Sequence, residues 1–227
     1  IFGDVGLGKT HLMMAVGHYI LDNNLNANIV YTTAQQFVED YFKSKNKNQK
    51  STSISEYFDN YYRNADVLLV DDIQYLADRQ GSQDEFFKIF EYLFENNKQI
   101  IVTSDRKASE LNIMDRLKSR FTWGMQVDIK KPNNDLRKAI LKNKLATLIE
   151  NTSSVSEEAL EYIADNFEEN VRELEGAFTR IVSFSSLFLS CLFFHRFLKI
   201  FSVTAHMVLP ALRRSPTCSP SSSLLFL

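Results

Sequence analysis

Eight residues near the start of the chain, Gly3-Asp4-Val5-Gly6-Leu7-Gly8-Lys9-Thr10, restrict its fold more than any other stretch. They fit the pattern G-x-x-x-x-G-K-[ST]. In that pattern Gly3, Gly6 and Gly8 let backbone N–H groups approach a polyphosphate, and a helix opening at the same point directs its positive end at the anion. The pattern requires a strand before it and a helix after it. Ile1 and Phe2 supply an apolar strand end, and His11 to Leu21 carries Leu12, Met13, Val16 and Ile20 on one predicted apolar face. In this context Lys9 is expected to reach the β- and γ-phosphates, and the Thr10 hydroxyl to ligate Mg²⁺. The plain alternative is a glycine-rich turn that binds nothing, and the flanking strand and helix argue against it.

The 227 residues suffice for one or two domains with a sizeable core. Charged residues at 24% and hydrophobic ones at 44% are ordinary for a soluble protein. A net charge of −2 carries no global nucleic-acid signature, so any such binding must come from a local patch. Cys191 and Cys218 form neither a disulfide framework nor a zinc pattern, which fits a reducing cytoplasm. No starting Met and no leader precede the strand end, so the chain reads as a fragment that lacks an N-terminal part.

A second chemical motif follows at Val67-Leu68-Leu69-Val70-Asp71-Asp72. Four consecutive apolar residues suit a central parallel strand buried on both faces, and two carboxylates at its C-terminal end fall where ligands bind in open α/β sheets. Asp71 is expected to complete a Mg²⁺ shell and Asp72 to orient or deprotonate an attacking water.

Around these motifs the pattern alternates. Ala27 to Thr33 reads as a strand, Ala34 to Lys43 as a helix with Phe37, Val38, Tyr41 and Phe42, and Lys43 to Lys50 as a lysine-rich loop. Ser53-Ile54-Ser55-Glu56 predicts a capping box before a short helix over Glu56 to Arg63. Ser82 to Asn96 predicts a helix burying Phe86, Ile89, Phe90, Leu93 and Phe94; Lys98 to Ser104 reads as a buried strand whose polar end, Thr103, Ser104 and Asp105, either reads a γ-phosphate or caps a turn. Ile113 to Phe121 presents Arg116, Lys118 and Arg120 around Leu117, and Val127 to Ile129 is a last short strand. Beyond Pro132 only helices are expected: Asp135 to Glu150, Ser156 to Phe167 and Asn170 to Phe184, with Arg172 near the start of the third. The fold class is therefore α/β, an αβα sandwich with a parallel sheet over 1–131, followed by a small helical lid over 132–187.

Five blocks in this order resemble the AAA+ domain of the bacterial DnaA replication-initiator family. They are Gly6-Leu7-Gly8-Lys9-Thr10-His11-Leu12, Leu69-Val70-Asp71-Asp72-Ile73-Gln74, Ser82-Gln83-Asp84-Glu85-Phe86-Phe87, Asp115 to Phe121, and Asn170 to Ala177. The resemblance runs from about Ile1 to Leu187. It implies a weak ATPase that acts as a switch, with ATP or ADP and Mg²⁺ as cofactors, and it extends the nucleotide-binding set to His11. Arg120 matches the family's arginine finger, and Arg116 a residue at the same subunit contact. Asp105 matches the sensor 1 segment and Arg172 the sensor 2 arginine. Phe42, Lys43 and Arg79 fall where the family contacts single-stranded DNA. The implied partners are origin DNA, further copies in a filament, and a replicative helicase or loader in the full-length protein. The linker helix implicated in acidic phospholipid effects and the duplex-reading helix-turn-helix domain are not matched. The family position near Arg79 that is often basic is Gly81.

Two other readings fit part of the pattern. One is a regulatory or helicase-loader ATPase of the same clan; the other is a non-hydrolysing interaction module. Residues 188–227 carry Arg196, Lys199, Arg213 and Arg214 without an acid, then a Ser/Pro-rich stretch. The apolar run Leu187 to Phe194 is too short to span a bilayer. This tail reads as a non-native extension, such as a reading-frame change, ahead of a membrane attachment.

Overall fold

The computed structural model describes residues 1–45, 52–148 and 155–189, with side chains for 1–45, 58–147 and 155–183. The expectations for the tail beyond 189, for both cysteines and for the lysines at 47 and 50 lie outside the described residues. The chain divides into two compact units, Ile1–Ala177 and Phe178–Leu227. The described part of the second unit is the C-terminal stretch of one helix, and the architecture below is that of the first.

Strands β1 (Ile29–Thr33), β2 (Val67–Asp71) and β3 (Gln99–Val102) form a parallel sheet in that order. The register runs Ile29–Val67–Gln99 at one end and carries Thr33 beside Asp71 at the other. Ile1 and Phe2 extend the sheet beyond β3. The Ile1 nitrogen donates to the Val102 carbonyl at 2.9 Å, and the Ser104 N–H returns to the Ile1 carbonyl at 2.9 Å. On the far side Phe2 exchanges bonds with Val127 and Ile129, at 2.9 and 2.8 Å. The expected last strand over Val127 to Ile129 is thus a single bridge, between Phe2 and Asp128.

Every residue of β2 is buried, and the strand period of two sorts its side chains to opposite faces. Leu68 and Val70 join a core with Phe37, Phe58, Tyr62 and Phe86, drawn from helices α2 (Ala34–Lys45), α3 (Thr52–Arg63) and α4 (Gln80–Glu95). Within it Phe37 meets Phe58, Tyr62 and Phe86 at ring separations of 5.1 to 5.4 Å, in the tilted and edge-on geometries that aromatic quadrupoles favour. Val67 and Leu69 face the other way and pack with Met13 of α1 (Lys9–Asn23). Helices therefore cover both faces of the sheet, as expected for an αβα sandwich.

Several element-level expectations need correction. α1 buries Lys9, Met13 and Gly17, one residue per turn, and leaves Leu12 39% exposed. Met13 is buried and Ile20 packs beside it as expected, whereas Leu12 is turned away: a Cβ on Gly17 would lie 3.0 Å from Leu69 Cδ1, so the helix approaches β2 closely at this glycine. Phe94 is 48% exposed where an inward position was expected. It lies about 80° around the helix from Phe86, at the margin of the buried face. α3 begins at Thr52, so Ser53 falls inside its first turn instead of capping a helix at Glu56.

At the end of the sheet away from the phosphate loop, Asp66 joins the starts of all three strands. Its carboxylate accepts from the Asn28 N–H at 2.9 Å and from Lys98 Nζ at 2.6 Å, and its carbonyl accepts from the Gln99 N–H at 3.0 Å. Past Pro132 come α5's successors, after α5 itself (Asp115–Trp123): α6 (Asn134–Leu148), α7 (Glu157–Asn166) and α8 (Val171–Leu189). Ser156 caps α7 as expected, its hydroxyl accepting from the Ala159 N–H. Buried Arg137 ties α6 to α7, donating to the Ala164 and Pro132 carbonyls at 2.8 and 2.9 Å. Among the described residues no helix is long and apolar enough to cross a membrane.

Candidate nucleotide site

The phosphate loop leaves the centre of the sheet between β3 and residues 127–129. Gly3 must be glycine at this exit: a Cβ would sit 2.4 Å from the Ile129 carbonyl oxygen, and its φ is 153°. Gly8 has φ 95° and ends the loop as the N-cap of α1. A Cβ there would meet nothing within 4 Å, so the backbone faces open space at the point where α1 begins. α1 has neither a side-chain cap nor an acid in its first turn. Its first N–H groups and the positive end of its dipole are thus available to an anion. A Cβ on Gly6 would come 3.0 Å from Asn170 Oδ1, and the Val171 N–H donates to the Gly6 carbonyl at 2.9 Å. The start of α8 therefore abuts the loop. Arg172, exposed on that first turn, stands beside it.

Lys9 is only 7% exposed and donates to the carbonyls of Gly3 and Asp4, both at 2.9 Å. An ammonium has three donors, so one remains for a phosphate oxygen. The Thr10 hydroxyl donates to Asp71 Oδ2 at 2.8 Å, which joins the two expected metal ligands across 61 residues of sequence. His11 is exposed on the outer side of the same turn.

Asp71 is buried, and its second oxygen accepts from the Thr103 hydroxyl. Burial first, then the nearby Asp71 charge, pushes the Tyr31 phenol above its usual value. Asp72 follows at φ 55°, a left-handed conformation unusual for a non-glycine residue. Its N–H donates to Thr103 Oγ1 at 2.9 Å, and its carboxylate accepts from Gln74 Nε2 at 2.9 Å. The Gln74 Oε1 in turn accepts from the Asp105 N–H at 3.3 Å. Asp105 is paired with Arg106 through both oxygens, at 2.7 and 2.8 Å, and Arg106 holds its carboxyl below the usual carboxylate range. Lys9, Thr10, Asp71, Asp72 and Asp105 thus share the carboxyl end of the sheet.

Thr10 and Asp71 offer only hard oxygen, and among the described residues no group of three or more His, Cys, Asp or Glu could hold a metal. One carboxylate and one hydroxyl, completed by water and phosphate oxygens, suit Mg²⁺ and not a cation that needs a full protein cage.

The remaining candidates lie elsewhere. Arg120 pairs with Glu91 at 2.7 and 2.9 Å, with its guanidinium over the rings of Phe94 (5.6 Å) and Trp123 (5.8 Å). Arg116 is exposed one turn earlier on α5. Phe42 is 59% exposed, and Lys43, loosely paired with Asp40 at 3.5 Å, is exposed beside it on α2. Arg79 is exposed at the N-cap of α4. A Cβ at Gly81 would lie 3.3 Å from the Tyr41 hydroxyl, so α2 and the start of α4 meet next to these three residues. Sequence reasoning missed the roles of Thr103 as an organiser of both aspartates and of Gln74 as a partner of Asp72 and Asp105. Two polar residues close to strand ends were the available signal.

The family model of the bacterial DnaA ATPase domain matches residues 1–128. The chain belongs to this family. It is 51% identical over 189 residues to the chromosomal replication initiator protein DnaA of Acholeplasma laidlawii, a match that covers 83% of this chain and 42% of the relative. The chain thus spans about two-fifths of the length of such DnaA relatives. Domain III of the Thermotoga maritima DnaA superposes with a TM-score of 0.74 at 31% identity, covering 85% of this chain and 78% of that one. A DnaA replication initiator bound to AMPPCP and single-stranded DNA superposes with a TM-score of 0.66 at 37% identity, covering 80% and 54%.

Proposed function

We propose that this chain is the nucleotide-switched ATPase part of a chromosomal replication initiator. It binds ATP with Mg²⁺, hydrolyses it slowly, and assembles with further copies on origin DNA to promote strand opening. The observation that carries this reading is the 2.8 Å bond between Thr10 and Asp71, which brings the phosphate loop and the acidic strand end into one site. The relative bound to AMPPCP and single-stranded DNA supports the choice of ligands.

In this reading residues 1–131 are the nucleotide-binding domain and 132–187 the lid. The loop N–H groups and the start of α1 bind the phosphates, and Lys9 neutralises charge on the β- and γ-phosphates. Thr10 and Asp71 hold Mg²⁺, which supplies electrostatic stabilisation to the transferring phosphoryl group. Asp72 orients the attacking water and accepts its proton as the bond from the γ-phosphorus to ADP breaks. Asp105 and Arg172 sense the γ-phosphate from the β3 side and from the lid. Arg120 reaches the nucleotide of the neighbouring copy, with Arg116 at the same contact. Phe42, Lys43 and Arg79 contact single-stranded DNA, the cations through phosphates and the ring through a base. Helicase or loader contacts, and any effect of acidic phospholipids, belong to the full-length protein.

The test separates binding from chemistry in the full-length protein. Lys9→Ala abolishes Mg-ATP binding. Asp72→Asn retains it and slows turnover by about 10²–10⁴-fold, the usual weight of general base catalysis. Equal loss of ATP affinity in the two variants, read by calorimetry, refutes this division of roles.

A further inference from the structure

The two aspartates do not hold their positions alone. Thr103 is fully buried at the end of β3, one register step beyond the last paired residue, Val102. Its hydroxyl is used in both directions. It donates to Asp71 Oδ1 and accepts from the Asp72 N–H at 2.9 Å. Its backbone continues the tie: the Thr103 N–H donates to the Val70 carbonyl at 2.9 Å, and its carbonyl accepts from the Ile73 N–H at 3.0 Å. Four bonds from one residue thus straddle Asp71 and Asp72.

Asp72 needs such support, because its φ of 55° is a conformation that a non-glycine residue holds only when its surroundings impose it. Gln74 supplies the second restraint. Its amide uses both ends, with Nε2 on the Asp72 carboxylate and Oε1 on the Asp105 N–H. The amide orientation is fixed by chemistry, since a carboxylate can only accept and a backbone N–H can only donate.

We propose that Thr103 and Gln74 are positioning residues for ATP hydrolysis: the Thr103 hydroxyl aligns Asp71 with Asp72, and the Gln74 amide links the Asp72 carboxylate to the backbone of Asp105. This rests on the reading of Asp71 as metal ligand and Asp72 as general base. Neither side chain needs to touch nucleotide. The Thr103 bond to Asp71 governs how well that carboxylate meets the cation. The Gln74 bond governs only the direction of Asp72. A change at the nucleotide that moves Asp105 is passed through Gln74 to the base, which couples sensing to turnover.

The two roles give different signatures, measured in the full-length protein. Thr103→Val keeps the shape and removes the hydroxyl. It lowers kcat about 10–100-fold, the usual cost of losing an outer-shell partner, and raises the Mg²⁺ concentration needed for tight ATP binding in calorimetry. ATP affinity in EDTA stays within twofold. Thr103→Ser restores both quantities. Gln74→Glu removes the donor to Asp72 and keeps the acceptor for Asp105. It lowers kcat over the same range without changing the Mg²⁺ requirement. Gln74 is half-buried, so this variant carries the test if Thr103→Val fails to fold. Both variants turning over within twofold of the unmodified protein, while Asp72→Asn is slowed by about 10²–10⁴-fold, overturns the proposal and leaves the site reading intact. A parallel fall in melting temperature and in EDTA affinity that Thr103→Ser does not repair also overturns it, since that marks a purely structural role. Full turnover by Asp72→Asn overturns both the proposal and the reading beneath it.

Discussion

At the scale of single residues, charge and exposure make separable predictions. Arg106 first, and Lys9 more weakly, keep the Asp105 carboxyl ionised against the opposing effect of burial. The folded-state pKa is depressed, so its contribution to stability is present above the unfolded value and is lost as pH falls through the folded one. Arg106→Ala is expected to move the Asp105 titration upward, towards the ordinary carboxylate range. Carboxyl-carbon NMR over an acid titration reads this directly, and an unmoved midpoint contradicts the pairing. Phe42 and Phe37 give a matched contrast on one helix. Phe42 is 59% exposed and Phe37 1% exposed. Phe42→Ala should change stability by no more than about 0.5 kcal/mol, whereas Phe37→Ala should cost about 3–5 kcal/mol. Denaturant melts of both variants settle whether Phe42 is available to a ligand or belongs to the core.

At the scale of elements, the sequence was most legible where one property dominated. The four apolar residues before Asp71 could only be a buried strand, and all of β2 is buried. The phosphate loop was legible because glycine, lysine and hydroxyl chemistry leave few alternatives. α1 was harder: of the expected face Leu12, Met13, Val16 and Ile20, Met13 and Ile20 pack on the sheet, but Gly17, which carries no hydropathy signal, sets the contact and Leu12 is turned away. Thr103 and Gln74 were illegible as organisers, since Thr103 meets Asp71 and Gln74 meets the Asp105 N–H across about thirty residues of sequence, contacts that only the folded sheet brings together. Gly17→Val tests the α1 packing. Its side chain would enter space that Leu69 already fills, and overpacking of this kind costs about 1–3 kcal/mol. An unchanged denaturation midpoint would show that α1 stands off from β2.

At the scale of the whole molecule, the proposed switch depends on Arg120 leaving Glu91. The pair is about a third exposed, with side-chain exposures of 31% and 24%, so breaking it should cost the isolated chain only about 0–1 kcal/mol. Arg120→Ala is therefore expected to melt almost normally and bind ATP, yet to fail in ATP-dependent assembly. Sedimentation with ATP showing unchanged assemblies rules out the finger role. Lys43→Ala with Arg79→Ala should weaken ATP-dependent binding of a labelled single strand and reduce its salt dependence, as each lost phosphate contact releases fewer counterions. Unaltered anisotropy in that double variant removes the strand-binding proposal.

The Asp66 clasp has a consequence for how the sheet is reached during folding. Its bonds to Asn28 and Lys98 span 38 and 32 residues, and parallel strands so far apart in sequence meet slowly. A one-residue slip of β2 would exchange Leu68 and Val70 with Val67 and Leu69 between the two faces. Apolar residues occupy both sets, so hydrophobicity discriminates weakly between the correct and the slipped pairing. Asp66 adds to the discrimination, because in the observed pairing its carboxylate meets Asn28 before β1 and Lys98 before β3. Asp66→Ala should then refold into a mixture, with a slow phase in stopped-flow fluorescence as mispaired chains unzip and try again.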